Sequence, residues 1–157
     1  MNKKIAWFVV LLAFLGILLT FYLTWLHYNP PAPDEEILGC LTGSGCSAVT
    51  TSEYSYFLGI PVAVLGLVTY IIIFLLSILF LFLKSEEKRK EQVSMIILLL
   101  SFIGTLFQAY LTYLSATIIR AYCSLCITSE VFITLIFVLS CILNKEKLKM
   151  IWERYVE

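Results

Sequence analysis

Four long apolar runs constrain the fold of this chain more than any other feature of its sequence. They cover residues 5–26, 60–83, 93–114 and 122–143, and only the last contains a charged residue, Glu130. A bilayer core about 30 Å thick requires roughly 20 apolar residues per spanning helix. Backbone groups inside a bilayer must also bond within their own helix. The runs therefore predict an all-α integral membrane protein with four transmembrane helices.

The composition excludes most classes of soluble protein: 61% of the 157 residues are hydrophobic, 14% are charged, and the net charge is zero. An ordinary soluble domain is roughly 45–50% apolar and about 25% charged. Intrinsic disorder, a basic nucleic-acid-binding domain and a solvated multi-domain enzyme are thus disfavoured. Since the residues outside the runs are too few for a separate soluble domain, we expect residues 1–157 to form a single membrane domain, a compact four-helix bundle. Its long loop, residues 27–59, joins the first two helices.

The basic residues predict the orientation of the bundle, because short loops rich in Lys and Arg stay cytoplasmic. Ten of the eleven lie before the first run, between the second and third, or after the fourth. The opposite connections carry four acidic residues and a single base, Arg120. We therefore expect a multi-pass protein of the plasma (inner) membrane, with both termini cytoplasmic and the cysteine-bearing loops outside. The first run is too long for a usual signal-peptide core and no small-x-small cleavage site follows it, so we expect it to be retained.

Four of the five cysteines fall on the predicted outer side. Cys40 and Cys46 lie in the long loop, and Cys123 and Cys126 lie at the start of the fourth helix. Outside the cytosol thiols can be oxidised, so two pairs on one side of a membrane indicate redox chemistry. We expect Cys141, near the other side, to be a small packing residue.

The segment Cys123-Ser-Leu-Cys126 is a Cys-x-x-Cys motif at a helix N-terminus. There the helix dipole and the amide groups stabilise a thiolate and lower the pKa of the more exposed sulfur. Electrons pass between cysteine pairs through a mixed disulfide, so the two pairs must meet. Glycines around Cys40 and Cys46 allow the loop to fold over the bundle. Static disulfides and a four-cysteine zinc site are the alternatives to redox activity.

The electron acceptor is expected to be a lipid-soluble quinone. The sequence has no haem, flavin or nucleotide signature, and His27 alone cannot supply the usual pair of axial haem ligands. A quinone dissolves in the membrane that the helices span, so it can reach cysteines at the end of the bundle.

Several segments resemble the vitamin K epoxide reductase family, and the resemblance covers essentially the whole chain. These are residues 46–54 (CSAVTTSEY), residues 57–61 (FLGIP) with Gly66, and residues 110–113 (YLTY) followed by residues 121–126 (AYCSLC). They occur in the family's order, with a loop cysteine pair after the first helix and Cys-x-x-Cys opening the fourth. The nearest rival, the DsbB type of disulfide-generating protein, carries its Cys-x-x-Cys in the first outer loop.

The resemblance implies a role for each cysteine. Cys126 faces the quinone, Cys123 is its exchange partner, Cys46 attacks or bonds Cys123, and Cys40 is the outward shuttle. It also implies a hydroxyl near the active cysteines at Ser52, for which a turn or helix cap is the alternative role. Phe57 and Tyr113 are placed at the quinone pocket by the same resemblance.

Two residues depart from the vertebrate members that reduce vitamin K. Val62 stands at a position where those members carry an amide side chain, and Glu130 where they carry a tyrosine. Both positions bear on holding quinone or epoxide carbonyls. The resemblance is therefore closer to the prokaryotic branch, which oxidises thiols with ubiquinone or menaquinone. Many prokaryotic members carry a fused thioredoxin-like domain; we expect none here, so the partner is a separate extracytoplasmic thioredoxin-fold (DsbA-like) protein. Epoxide reduction and a non-catalytic protein with structural disulfides or a metal site are the alternatives.

Glu130 is also a functional candidate on physical grounds, because placing an ionisable residue within a spanning helix costs free energy. It follows Cys126 by four residues, which places it on the same helix face, one turn deeper. From there a carboxyl group can hydrogen-bond a quinone oxygen or deliver a proton. The alternative is a neutral carboxyl paired with Gln108 or with a tyrosine of the third helix.

Overall fold

Four long helices dominate the computed structural model, which describes residues 3–29, 52, 55–57, 59–83, 87–119 and 123–145. The loop cysteines Cys40 and Cys46 lie outside the described residues. In chain order the elements are α1 (Lys3–Tyr28), β1 (Tyr56–Phe57), β2 (Ile60–Pro61), α2 (Val62–Phe82), α3 (Glu87–Leu114), a π-helical turn (Ser115–Ile119) and α4 (Ser124–Leu143).

Each of the four helices is long and apolar enough to cross a membrane, so the predicted all-α membrane bundle is confirmed. The helices do not begin and end at the same residues as the apolar runs. Helix α3 begins at Glu87, six residues before its run, because the Glu, Lys, Arg and Gln residues there are good helix formers. Pro61 lies inside the second apolar run, but it precedes α2 as its N-cap, with an extended ψ of 132°.

The short strands β1 and β2 pair antiparallel and lead the chain into α2. Gly59, in the turn between them, has a φ of +81°, a conformation that glycine adopts without a steric penalty. This hairpin lies at the end of the bundle where α1 and α3 end and α2 and α4 begin, which we call the cysteine end.

Side chains from all four helices form the core. Helix α1 packs against α2 and α4, and α3 packs against α4 and α2. Small residues such as Ala6 and Ala13 allow the helices to approach closely, as is usual in membrane bundles. Many large apolar side chains, including Trp7 and Phe82, point outward instead, and in a spanning protein lipid covers such a surface.

One close contact links three helices near the middle of the bundle. The ring of Tyr70 on α2 lies directly against Gly16 on α1. Its hydroxyl donates to the carbonyl oxygen of Ser129 on α4 at 2.8 Å. Because Ser129 follows Cys126 by one turn, this contact fixes α1 and α2 against the redox segment of α4.

Candidate functional site

Cys123 is the N-cap of α4. Its backbone is extended, with φ −102° and ψ 107°, and its Sγ accepts a hydrogen bond from the backbone N–H of Cys126 at 3.2 Å. The carbonyl of Cys123 accepts from the N–H of Ile127 at 3.1 Å, which closes the first turn. The sulfur thus occupies the acceptor position that a Ser or Asp side chain takes at other helix starts.

These contacts set the protonation of Cys123, which lies just before the membrane-spanning segment Ser124–Leu143. A hydrogen bond from the Cys126 thiol lowers the pKa of the Cys123 thiol, burial opposes this, and the N–H groups of Cys126 and Leu125 lower it further. The net pKa lies below the ordinary value. We expected the more exposed sulfur to be the acidic one, but Cys123 is 2% exposed and Cys126 is half-buried. Hydrogen bonds at the N-cap, rather than exposure, select this sulfur.

Cys126 lies in the wall of a cavity of about 90 Å³ at the cysteine end. On the same scale a single water needs about 10–15 Å³, so the cavity holds much more than one water. Most of its wall surface is apolar. The lining residues come from all four helices, from the π-helical turn and from the segment before β1: Thr20, Leu23, His27, Ser52, Ser55, Val62, Ala63, Gly66, Gln108, Leu111, Thr112, Leu114, Ser115, Cys126 and Ser129.

A second cavity, of about 70 Å³, adjoins the first along the bundle. Val62, Gly66, Gln108 and Ser129 line both cavities, and Tyr70 lines the second. We call them the upper cavity, which contains Cys126, and the lower cavity. Because they share these residues, the two cavities lie next to each other beside the redox helix.

Gln108 connects α3 directly to the Cys-x-x-Cys segment. Its Nε2 donates to the carbonyl oxygen of Cys126 at 3.1 Å. The sequence suggested Gln108 as a possible partner of Glu130, whereas the structure pairs it with the backbone of the redox cysteine.

Glu130 pairs with α3 through a different residue. Its Oε2 accepts a hydrogen bond from Thr112 Oγ1 at 2.6 Å. Thr112 is in the wall of the upper cavity, and Glu130 is not among the lining residues. The carboxyl group therefore reaches the cavity through the hydroxyl of Thr112, and its role in proton transfer stays a prediction.

Ser52 lies in the wall of the upper cavity, which also contains Cys126, and its role in the chemistry stays a prediction. Its carbonyl oxygen accepts from both the N–H and the Oγ of Ser55, at 3.0 and 2.7 Å. Hydrogen bonds between residues three apart are typical of a turn, which was the alternative role of Ser52.

His27 also lines the upper cavity, whereas the sequence indicated for it only that it cannot hold a haem alone. It is the only histidine of the chain and lies near the end of α1. Its Nε2 lies 3.1 Å from the hydroxyl of Tyr56, and the two rings make an edge contact. A lone histidine at the end of a spanning helix on the side of the cysteines was the available signal.

Phe57 and Tyr113 are not in the wall of either cavity. Phe57, in β1, is 49% exposed and packs edge-on against Phe107 at 5.4 Å. Tyr113 follows the wall residue Thr112 and is therefore turned about 100° away on α3; it is 65% exposed. Their place at the quinone pocket stays a prediction without a contact to support it.

The remaining cysteines do not add to this cavity among the described residues. Cys141 is half-buried near the far end of α4 and takes no part in this site. Within the described ranges no three His, Cys, Asp or Glu side chains lie close enough to hold a metal ion. The four-cysteine zinc alternative also involves Cys40 and Cys46, which lie outside those ranges.

A comparison with protein families agrees with the resemblance seen in the sequence. The model of the vitamin K epoxide reductase family matches residues 7–141. The match runs from the first turns of α1 to the last turn of α4 and includes both cysteine pairs.

Proposed function

This chain belongs to the vitamin K epoxide reductase family, and from that premise we propose that it is a thiol oxidase of the plasma membrane. The chain is a membrane-spanning oxidoreductase, since the chemistry of the family involves quinones and disulfides. In the proposed reaction, electrons pass from a reduced thioredoxin-fold protein through the cysteine pairs to a membrane quinone. The result is a new disulfide in the partner protein.

The position of Cys126 carries the proposal. Cys126 lines a mostly apolar cavity between spanning helices, and the sulfur of Cys123 accepts a hydrogen bond from its backbone N–H. A thiol at the end of a bundle with no cavity beside it has no access to a lipid-soluble acceptor. Here the redox pair and the space for an acceptor meet at one residue.

The cavity walls suit a quinone ring. Leu23, Val62 and Leu111 supply apolar surface from three helices, and Gln108 supplies a neutral hydrogen-bond donor. A flat apolar ring with carbonyl acceptors at its edge matches such a cavity. A bound quinone supplies the two-electron, two-proton acceptor of the reaction.

Three exchange steps among the cysteines balance the electrons. The partner's dithiol reduces the Cys40–Cys46 disulfide and becomes a disulfide. The Cys46 thiolate then attacks Cys123 of the Cys123–Cys126 disulfide, which releases the Cys126 thiolate. Cys40 attacks Cys46 in turn, which restores the Cys40–Cys46 disulfide and frees Cys123.

The last step returns the Cys123–Cys126 pair to its disulfide. The two sulfurs give up two electrons to the acceptor, and the two thiol protons accompany them to form the quinol. The lowered pKa of Cys123 supports this chemistry, because exchange requires a sulfur that is readily deprotonated near neutral pH.

The charge pattern supports the proposed orientation. Basic residues concentrate at the connection between α2 and α3 and at the two termini, opposite to the cysteine end. The cysteine end then faces the extracytoplasmic side, where a separate thioredoxin-fold partner and oxidised cysteines occur together.

Two positions favour thiol oxidation over epoxide reduction. Val62, in the wall of both cavities, offers no hydrogen bond where the vertebrate members carry an amide. Glu130 replaces their tyrosine and is paired with Thr112. No contact among the described residues favours an epoxide substrate.

The direct test is quinone reduction by the purified protein in detergent. A reduced thioredoxin-fold protein serves as donor, and the absorbance of a ubiquinone or menaquinone analogue reports the reaction. We expect Cys126→Ala to abolish it with every donor. We expect Cys40→Ala to lose the protein-driven reaction while a small dithiol still drives some reduction.

Cys141→Ala is the matched control, since it removes a thiol from the same helix far from the cavity. It should retain wild-type activity. If the wild type reduces neither quinone with protein or small-molecule thiols, the oxidase proposal is wrong, and structural disulfides or a metal site become the better account.

A further inference from the structure

Gln108 has hydrogen-bonding capacity that the protein does not use. One amide N–H donates to the Cys126 carbonyl oxygen at 3.1 Å, and within the described residues this is its only hydrogen bond. The second N–H and the side-chain oxygen have no partner there. A polar group in an apolar span is costly unless its hydrogen bonds are made. The amide therefore suits a ligand that brings an acceptor into the cavity.

Three hydroxyl groups in the wall of the upper cavity already donate their hydrogen bonds within the protein. The hydroxyls of Thr20, Ser55 and Thr112 donate to Gly16, Ser52 and Glu130 respectively, at 2.6 to 2.7 Å. Such a hydroxyl can offer only a lone pair to a ligand. Gln108 still has a donor, and unlike Ser115 it lines both cavities.

Gln108 lines both cavities together with an apolar residue of α2. Val62 shares the wall of both cavities with it and supplies no hydrogen bond. A ring carbonyl in the upper cavity therefore finds a donor at Gln108 of α3 and only apolar surface at Val62 of α2. This asymmetry orients a ligand that has acceptors at its edge.

We propose that Gln108 binds the quinone: its second amide N–H donates to one ring carbonyl oxygen while its first N–H holds the Cys126 backbone. The inference rests on the proposed function, and it names the residue that determines how the acceptor is placed. One amide thereby fixes the ring beside the sulfur that reduces it. The same N–H stabilises negative charge as it develops on that oxygen, which favours reduction as well as binding.

Infrared difference spectroscopy of the purified protein tests this directly. The probe is a ubiquinone analogue labelled with ¹³C at one carbonyl or the other. A hydrogen bond weakens a C=O bond, so in the wild type we expect one carbonyl to absorb at a lower frequency than it does in hexane. Gln108→Met has similar length and no donor, and it should return that band to the frequency found in hexane.

Kinetics provide the second measurement. Loss of a neutral hydrogen bond worth about 1 kcal/mol corresponds to roughly a fivefold increase in KM for the quinone. Gln92→Met is the matched control: Gln92 is exposed, on the same helix, and outside both cavities. It should change neither the spectrum nor KM.

The outcomes separate the two proposals. A wild type that reduces the quinone with both carbonyl bands unshifted refutes the role of Gln108 and leaves the oxidase proposal standing; this result does not depend on how any variant folds. A shifted band that persists in Gln108→Met refutes it as well. A wild type that reduces no quinone contradicts the oxidase proposal, and this inference fails with it.

Discussion

The close approach of Gly16 to Tyr70 makes a sharp prediction about stability. A Cβ built on Gly16 lies 2.3 Å from Cδ1 and Cε1 of the ring and 2.7 Å from Cζ. Carbon atoms in contact normally lie about 3.5–4.0 Å apart. In Gly16→Ala the ring must therefore move by more than 1 Å, or the two helices must separate.

The ring cannot move without a further cost, because its hydroxyl donates to Ser129 at 2.8 Å. Overpacking costs typically 1–3 kcal/mol, and loss of this hydrogen bond adds about 1 kcal/mol. The better helix propensity of alanine offsets at most about 1 kcal/mol. We expect Gly16→Ala to lower the free energy of unfolding by about 1–3 kcal/mol.

Reversible unfolding in mixed micelles, followed by circular dichroism while the denaturing detergent is increased, measures this change. Two glycines provide graded controls. At Gly104 the new Cβ meets only Ile133 side-chain atoms, at 3.1 and 3.4 Å, and at Gly66 it meets only Thr20 Cγ2, at 3.4 Å. The loss should be largest for Gly16→Ala, smaller for Gly104→Ala, and within about 0.5 kcal/mol of zero for Gly66→Ala.

The result that refutes this reasoning is a Gly16→Ala variant as stable as Gly66→Ala. A double variant makes the cause specific. With Tyr70→Leu the ring is absent, so adding Gly16→Ala should cost less than it does in the wild type. Equal costs in the two backgrounds would show that the ring is not what excludes a side chain at position 16.

Three further predictions follow from the site and from the opposite end of the bundle. The pKa of Cys123 is lowered, chiefly by the hydrogen bond from the Cys126 thiol, so Cys123 should be alkylated at lower pH than an ordinary cysteine. Cys126→Ala removes that hydrogen bond, so the pH profile of Cys123 alkylation, measured by mass spectrometry, should shift to higher pH. Thr112→Val removes the hydrogen bond to Glu130, so it should slow quinone reduction by the same factor as Glu130→Gln. The double variant should be no slower than either single variant; additive losses of rate would show that the two residues act independently. Asn144→Ala removes three buried hydrogen bonds and should lower the free energy of unfolding by about 1–3 kcal/mol. The KM for quinone should not change; a changed KM would show that the end of the bundle at Asn144 is coupled to the cavity.

The number and kind of helices could be predicted because few kinds of sequence can span a bilayer. Spanning backbone must be helical, and a helix must be apolar over the thickness of the core. The Cys-x-x-Cys motif was equally visible, and its place at the start of α4 followed from the edge of the last apolar run. The exact boundary was less clear: the run begins at residue 122, whereas α4 begins at Ser124 with Cys123 as its N-cap.

The membership of the site could be predicted only in part. The sequence placed Cys126 and Ser52 near each other through the family resemblance, and the structure places both in one cavity wall. It did not show that His27 joins them from α1, or that Gln108 bonds the backbone of Cys126. These contacts join residues far apart in the chain, and no local pattern records them.

The sequence by itself determined that this chain is a bundle of four membrane helices with a redox motif at one end. Only the tertiary structure decided which face of each helix is turned inward, and thus why Thr112 lines the cavity and Tyr113 does not. The physical reason is that lipid is as apolar as the bundle interior. A spanning helix is therefore hydrophobic on every side, and its sequence does not mark the face that packs.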